Sequence, residues 1–482
     1  MMFGLRLTVS IFANVGVFAG IIAAISLPGS AEATPNILLI IGDDMGVETL
    51  SSYGVGESPP TTAALDEMAQ EGVRFTNFWS QPICSPTRAT MLTGRYGFRT
   101  GVGGPIPPQA FGPWPDPPKK SDAAPAEWMV EGRIVETVTW GLTEDEYALP
   151  MAFNANDHLG YSTAAIGKWH LADARNGWLD HPNRVGFGHF SGLIIGEPHS
   201  YFAWNKTVDG KTSGATGYAP TDKVDDAIEW IDAQGDTPWF LWFAFNLPHI
   251  PFHLPPPASL QSDYSALDPS TVPDPMSKPH FRAMIEAMDT EIARLLAALD
   301  PDIRENTYVI FMGDNGTTGR TISAPFHQGK NSVYEGGVNV PLIVTGPGVE
   351  RNAISEALVN STDMFYTIME MAGVDPEETV PEEITTDSVS FFSALSNPTG
   401  PSRREWIYAD AFRGSDGRSD LANYAIRGAR YKLLKFRGVE EFYDLQADPY
   451  ESDDLLRGDL SGERRSAYET LKTEILRLRS SE

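Results

Sequence analysis

Three unbroken apolar runs stand out along the chain, at residues 36–41, 238–245 and 307–312, and each stops abruptly at polar residues. Runs of this length without polar alternation read as strands buried on both faces of a parallel sheet. The first delivers Gly42-Asp43-Asp44, the second Asn246-Leu247-Pro248-His249 and the third Gly313-Asp314-Asn315. Open α/β sheets carry their sites beyond the carboxyl ends of strands, so these endings are expected to share one site. Helical periodicity fills the intervals: Val224, Ala227, Ile228 and Ile231 form one apolar face, and Met284, Met288, Ile292, Leu295 and Leu299 another. Further on, short strands at 406–409, 424–427, 431–436 and 441–445 alternate with turn residues, which predicts antiparallel pairing. A last helix with Tyr468, Leu471, Ile475 and Leu478 on one face is expected to cover them. The predicted fold is therefore α/β, with a large mixed, mostly parallel sheet flanked by helices over residues 34–400. A smaller C-terminal subdomain of antiparallel sheet plus a helix follows over 401–482.

The N-terminus changes the expected location. A short basic start ending at Arg6, an apolar stretch over 7–27 and Ala31-Glu32-Ala33 make residues 1–33 a signal peptide, with the mature chain beginning at Thr34. The apolar stretch is also long enough to span a bilayer, so an uncleaved anchor is the competing reading. Its Ser, Asn and Gly content and the cleavage box favour a periplasmic or secreted protein without stable membrane association. With 36 Lys and Arg against 64 Asp and Glu, the net charge is −28. Cleavage would remove only Arg6 and Glu32 and leave that balance unaltered. Such a charge argues against nucleic acid and anionic membranes as partners. An anionic substrate would have to be met by a local group of cations.

The chain has one cysteine, Cys84, which opens Cys84-Ser85-Pro86-Thr87-Arg88. In an exported protein a solitary cysteine is a buried free thiol, half of an intermolecular bridge, or a reactive group. Pro86 suits the first turn of a helix and Gly94 its end, giving a helix of roughly two turns with Cys84 at its N-terminus. Arg88 falls one turn later on the same face, so the segment is expected to form an anion pocket that contains a nucleophile.

This segment, extended through Ala89-Thr90-Met91-Leu92-Thr93-Gly94-Arg95, resembles the signature of the sulfatase family, and the resemblance runs from Pro35-Asn36-Ile37 to Phe442-Tyr443-Asp444-Leu445. It implies the two-part fold described above and hydrolysis of a sulfate monoester to alcohol and sulfate. It also implies that a maturation enzyme converts Cys84 to formylglycine. One hydroxyl of the hydrated aldehyde then attacks sulfur, and the other drives release of sulfate and regenerates the aldehyde. Asp43, Asp44, Asp314 and Asn315 offer only oxygen, which suits a hard cation and is poor for zinc. The family pattern points to the same four residues and to Ca²⁺, while Mg²⁺ satisfies the same oxygen set. In Gly167-Lys168-Trp169-His170-Leu171 the resemblance gives Lys168 to the sulfate and the aldehyde hydrate, and His170 to the second hydroxyl. Lys330, within Gly329-Lys330-Asn331-Ser332-Val333-Tyr334-Glu335-Gly336-Gly337, is implied as the other sulfate-binding lysine, and His249 as the acid that protonates the leaving oxygen.

Two departures from the family pattern are visible. Asn339 stands before Val340-Pro341 where the pattern has arginine, and His189 stands where an acidic residue is expected. His181, His189 and His199 carry no assigned role. The Pro-rich stretch over 104–140 is longer than the family pattern and reads either as a surface loop or as a substrate-shaping one. The substrate is expected to be a sulfated small molecule or glycan. Two alternatives remain: a phosphonate or phosphate monoester hydrolase with the same pocket, and a non-catalytic glycan-binding protein on this scaffold.

Overall fold

In the computed structural model of the protein, residues 34–112, 129–130, 133–134, 140–268, 273–274, 277–413 and 422–480 are described, together with Met1. The leader expected over residues 1–33 otherwise lies outside them, as does most of 113–139.

The three apolar runs become neighbouring central strands. Asn36–Gly42 pairs in parallel with Thr307–Gly313 on one side and with Trp239–Ala244 on the other. Every residue of all three is buried. The reason is visible in the first: Ile37, Leu39 and Ile41 point into one apolar layer while Leu38 and Ile40 point into the other, so residues 37–41 leave no position for a polar side chain. Ser162–Lys168 and His189–Leu193 extend the parallel set. Ala203–Val208 and Lys211–Thr216 add an antiparallel edge there. On the far side Leu342–Thr345 runs antiparallel and leads to Val73–Trp79 and Ala353–Asn360, completing ten strands.

The two helices that the periodicity predicts lie on one face: Ala219–Asp232 buries Val224, Ala227 and Ile231, and Lys278–Ala298 buries Met284, Met288, Ile292 and Leu295, all in the layer of Leu38 and Ile40. Helices Cys84–Thr93 and Asp363–Met371 pack into the other layer. The C-terminal strands Ile407–Ala411, Asn423–Arg427, Tyr431–Phe436 and Val439–Asp444 pair antiparallel in chain order. Helix Gly462–Ser480 buries Leu471, Ile475 and Leu478 in the cluster that these strands share.

Candidate active site

The parallel order places the ends of the three central strands side by side, and the residues that follow them meet. The Asp44 backbone N–H donates to Asp314 Oδ1 at 3.2 Å, and the Asn315 amide donates to Asp44 Oδ1 at 2.8 Å. Asp44 holds this position with a φ of 65°, in the left-handed region that few non-glycine residues adopt. His170 and Asn331, the latter next to Lys330, do the same at φ 56° and 70°. Of the three, Asp44 and His170 carry side chains of this site, and Asn331 sets the turn beside Lys330.

Helix Cys84–Thr93 enters from the next layer and ends at Gly94, whose φ of 67° closes it as the sequence predicts. Cys84 Sγ lies 3.2 Å from His170 Nδ1. The other ring nitrogen of His170 contacts the Ile106 carbonyl at 3.4 Å, so a proton on Nε2 would leave Nδ1 free to accept from position 84. Gly196 packs against this ring: a Cβ there would stand 2.5 Å from His170 Cε1. Arg88 is fully buried and does not face the opening; its guanidinium donates to Asp314 Oδ2 at 2.8 and 3.2 Å and to the Lys168 carbonyl at 2.7 Å. Arg88 therefore sets the orientation of Asp314 and ties down the strand that carries Lys168.

Lys168 Nζ donates to Asp43 Oδ2 at 2.6 Å, and Lys330 Nζ makes a very short contact to Asp44 Oδ1. His249 Nε2 stands 4.0 Å from Asp44 Oδ2, and its Nδ1 bonds the Ile250 carbonyl at 3.0 Å. The side chains of Asp43, Asp314, Arg88 and Lys168 have no exposure, whereas His249 and Lys330 keep 13% and 10%. The pocket therefore opens past those two residues. All ten residues that the sequence nominated lie in this one cluster.

Electrostatics divides the acidic groups. Burial, reinforced by nearby Asp314, pushes Asp43 up to about 8. Burial also raises Asp44, but Lys330 and His249 outweigh it and hold Asp44 at about 2. Burial raises the Cys84 thiol against the pull of Lys168 and Lys330, so the unmodified sulfur is a poor thiolate nucleophile. Burial and then Lys330 lower His249 to about 3, and burial and then Lys168 lower His170 well below its usual value.

The donor set fits a hard cation. Asp43 Oδ1 and Asn315 Oδ1 are buried and make no hydrogen bond among the described residues, an expensive condition for two oxygens that a metal ion would relieve. Asp43, Asp44 and His249 also present atoms within 4.8 Å of one another. The oxygen-rich remainder of the site favours a cation such as calcium or magnesium over zinc.

The unassigned histidines separate. His181 is a core residue: its Nδ1 accepts from the Trp169 indole N–H at 2.9 Å and its Nε2 contacts the Leu142 carbonyl at 2.8 Å. His189 pairs with Asp209 at 2.9 Å on a partly exposed edge, and His199 is exposed on the rim segment that also carries Glu197. The described base of the 104–140 stretch is no detached surface loop, since Ile106 is buried against His170. Three residues escaped the sequence reading. Glu197 stands 3.7 Å from His249, and Lys223 and Tyr201 form the bracket beneath it with Asn246, already named at the strand end. Lys223 alone left a signal, because it shares the apolar face of its helix with Ala227 and Ile231.

A strand-end pocket that combines oxygen ligands, buried cations and histidines defines an ester-hydrolase centre built for an anion. The sulfatase family pattern matches residues 35–374, and the pattern of the N-sulphoglucosamine sulphohydrolase C-terminal region matches residues 326–481. The chain belongs to the sulfatase family and is a sulfuric ester hydrolase. An ulvan-active sulfatase of Formosa agariphila is 25% identical over 92% of this chain and 79% of its own length. Arylsulfatase A of Bos taurus is 28% identical over 87% of this chain and 78% of its own. The crystal structure of Ps i-CgsB in complex with k-i-k-neocarrahexaose superposes with a TM-score of 0.71 at 23% identity, covering 93% of both chains.

Proposed function

We propose that the protein is an exported sulfatase that removes sulfate from a glycan or sugar ester, with formylglycine at position 84 and calcium held by Asp43, Asp44, Asp314 and Asn315. The observation that carries this reading is the setting of Cys84. Its Sγ is 3.2 Å from His170 Nδ1, at the N-terminus of a helix, in a pocket that also holds two lysines and two orphaned metal-type oxygens. The relatives support the substrate class: one is described as acting on ulvan, and the Ps i-CgsB structure holds a neocarrahexaose.

The aldehyde hydrate would supply a hydroxyl nucleophile and a second hydroxyl, and the cation would supply positive charge beside the sulfate oxygens. Every other part of the reaction falls to side chains already in place. Lys168 and Lys330 hold the sulfate and offset its charge in a site shielded from water. Arg88 fixes Asp314 and keeps the ligand set in register. His170 Nδ1 accepts the proton of the hydroxyl carried at position 84, and the Ile106 carbonyl fixes the ring for that task. His249, at the mouth, donates to the departing alcohol oxygen from Nε2; since Nδ1–H is held by the Ile250 carbonyl, the ring must first take up a second proton, which the negative charge of the bound sulfate would favour.

Mass spectrometry of the peptide spanning Cys84, paired with a sulfate-release assay on the same preparation, tests the proposal. Activity is expected to follow the fraction of molecules that carry the aldehyde. Full activity in a preparation whose Cys84 is an intact thiol would overturn it.

A further inference from the structure

Because the pocket opens past His249 and Lys330, the alcohol half of a bound ester must lie against whatever flanks His249. Two segments do so, residues 196–202 and 249–253, and they are bound into one wall. The Tyr201 hydroxyl lies within hydrogen-bonding distance of the carbonyls of Asn246 and His249, the latter at 2.8 Å. The Asn246 amide donates to the Gly196 carbonyl at 3.2 Å, and buried Lys223 donates to Asn246 Oδ1. At the other end the His253 ring packs on Tyr201 with centroids 4.4 Å apart, and its Nε2 meets the Tyr218 hydroxyl at 3.1 Å.

Two side chains on this wall keep an exposed surface. Glu197 Oε2 lies 3.7 Å from His249 Nδ1, yet that nitrogen already bonds the Ile250 carbonyl, and the Glu197 side chain is 54% exposed. Phe202 is the one exposed Phe, Tyr or Trp among the described residues, at 44%, and it is braced by Tyr218 and His253 at centroid distances of 5.4 and 5.5 Å. A ring already held by its neighbours loses little freedom when a ligand packs on it, and a carboxylate at a pocket mouth must keep a hydrogen-bond donor when the ligand displaces water.

We propose that this wall is a subsite for a neutral, hydroxyl-bearing sugar ring, with Phe202 packing on the ring's C–H face and Glu197 accepting a hydroxyl next to the sulfated position. The inference rests on the sulfated-sugar reading above and narrows it. A purely apolar alcohol would cover Phe202 but strand the Glu197 carboxylate. A ring bearing a neighbouring carboxylate or second sulfate would be repelled by it. The ligand that satisfies both groups has C–H faces and hydroxyl edges.

The test compares two esters with similarly poor leaving groups. One is whichever galactose or glucose monosulfate the wild-type enzyme hydrolyses fastest; the other is cyclohexylmethyl sulfate, a ring of similar size without hydroxyls. Glu197→Ala is expected to lower the sugar-to-cyclohexyl ratio of kcat/KM by about tenfold or more, the cost of an unpaired sugar hydroxyl, and to do so through KM. Phe202→Ala, which touches no catalytic group, is expected to raise KM for the sugar ester several-fold. For Glu197→Ala, parallel losses on both esters or an effect confined to kcat would overturn the subsite and make Glu197 a positioning group for His249. A wild-type enzyme that carries the aldehyde and releases sulfate from nitrophenyl sulfate but from no sugar ester would instead sink the sugar reading, and this inference with it.

Discussion

His249 and Lys330, at the pocket mouth, are the two nominated residues that are not fully buried, and they should part company when the leaving group is varied. A general acid matters in proportion to the charge developing on the departing oxygen, and such donors typically contribute about 10²–10⁴-fold. His249→Ala should therefore depress hydrolysis of sugar or alkyl sulfates far more than that of nitrophenyl sulfate, whose phenolate departs unaided. Lys330→Ala should impair both alike, because it holds the group they share. A leaving-group series of kcat/KM values checks this, and uniform losses for His249→Ala would remove it from the acid role. These residues were legible because each sits at a strand end or inside a distinctive motif. Glu197 was not, because a glutamate in a loop looks like any solvated charge until the fold sets it beside His249. Lys223 was readable in principle: a lysine in step with Ala227 and Ile231 must be buried, and a buried lysine needs a partner.

At the scale of elements, the strand that ends in Lys168 depends on a histidine outside the catalytic set. Trp169 can only donate, so His181 Nδ1 must accept and Nε2 must carry the proton toward the Leu142 carbonyl; a second proton on the ring would face the indole N–H. Burial accordingly lowers His181 to about 4. Its folded value lies below the unfolded value of about 6.5, so the native state binds fewer protons between the two. That contribution is complete above about pH 6.5 and declines as the pH falls toward 4, by about 3 kcal/mol in all. His181→Phe should be less stable than wild type at neutral pH, having left the Trp169 donor unpaired, and the gap should narrow on acidification. Calorimetric melting of both proteins from pH 7 to pH 4 measures it, and a constant gap would reject the account. The strand itself was missed in the sequence because its residues Ser162-Thr163-Ala164-Ala165-Ile166-Gly167-Lys168 make no long apolar run. Small residues are needed there for close approach: Gly167 has a φ of 106°, and a Cβ would stand 1.9 Å from the Ala244 carbonyl oxygen. The edge strands hid for a different reason, since Lys211–Thr216 is mostly exposed and polar.

For the whole molecule, a net charge of −28 is reconciled with an anionic substrate by concentrating cations where they are needed. A second buried cluster of charge joins the two sheets. Lys432, from the C-terminal sheet, has no exposure and pairs with Glu335 at 3.1 Å and Glu451 at 2.7 Å, with its ammonium 4.6 Å from the ring centre of Trp79 on the large sheet. Arg427 adds a contact to Glu335 at 3.4 Å. This explains why Asn339 is tolerated where the family pattern has arginine: its amide reaches Glu335 at 3.1 Å as a neutral donor, and the positive charge arrives from the other sheet. Glu335 lies five residues beyond Lys330, so the seam also anchors the loop that carries that lysine. Lys432→Met should leave buried Glu451 without a cation and Glu335 with Arg427 alone, and cost about 3–5 kcal/mol, seen as a lower melting temperature. Burial, with Glu335 beside it, already pushes Glu451 up to about 7. Adding Glu451→Gln to Lys432→Met should therefore restore part of the loss, because the neutral amide removes the carboxylate that is costlier to keep charged. Melting temperatures of the two single variants and the double variant close the cycle. A double variant no more stable than Lys432→Met alone would show that packing against Trp79, and not charge, is what Lys432 brings to the seam.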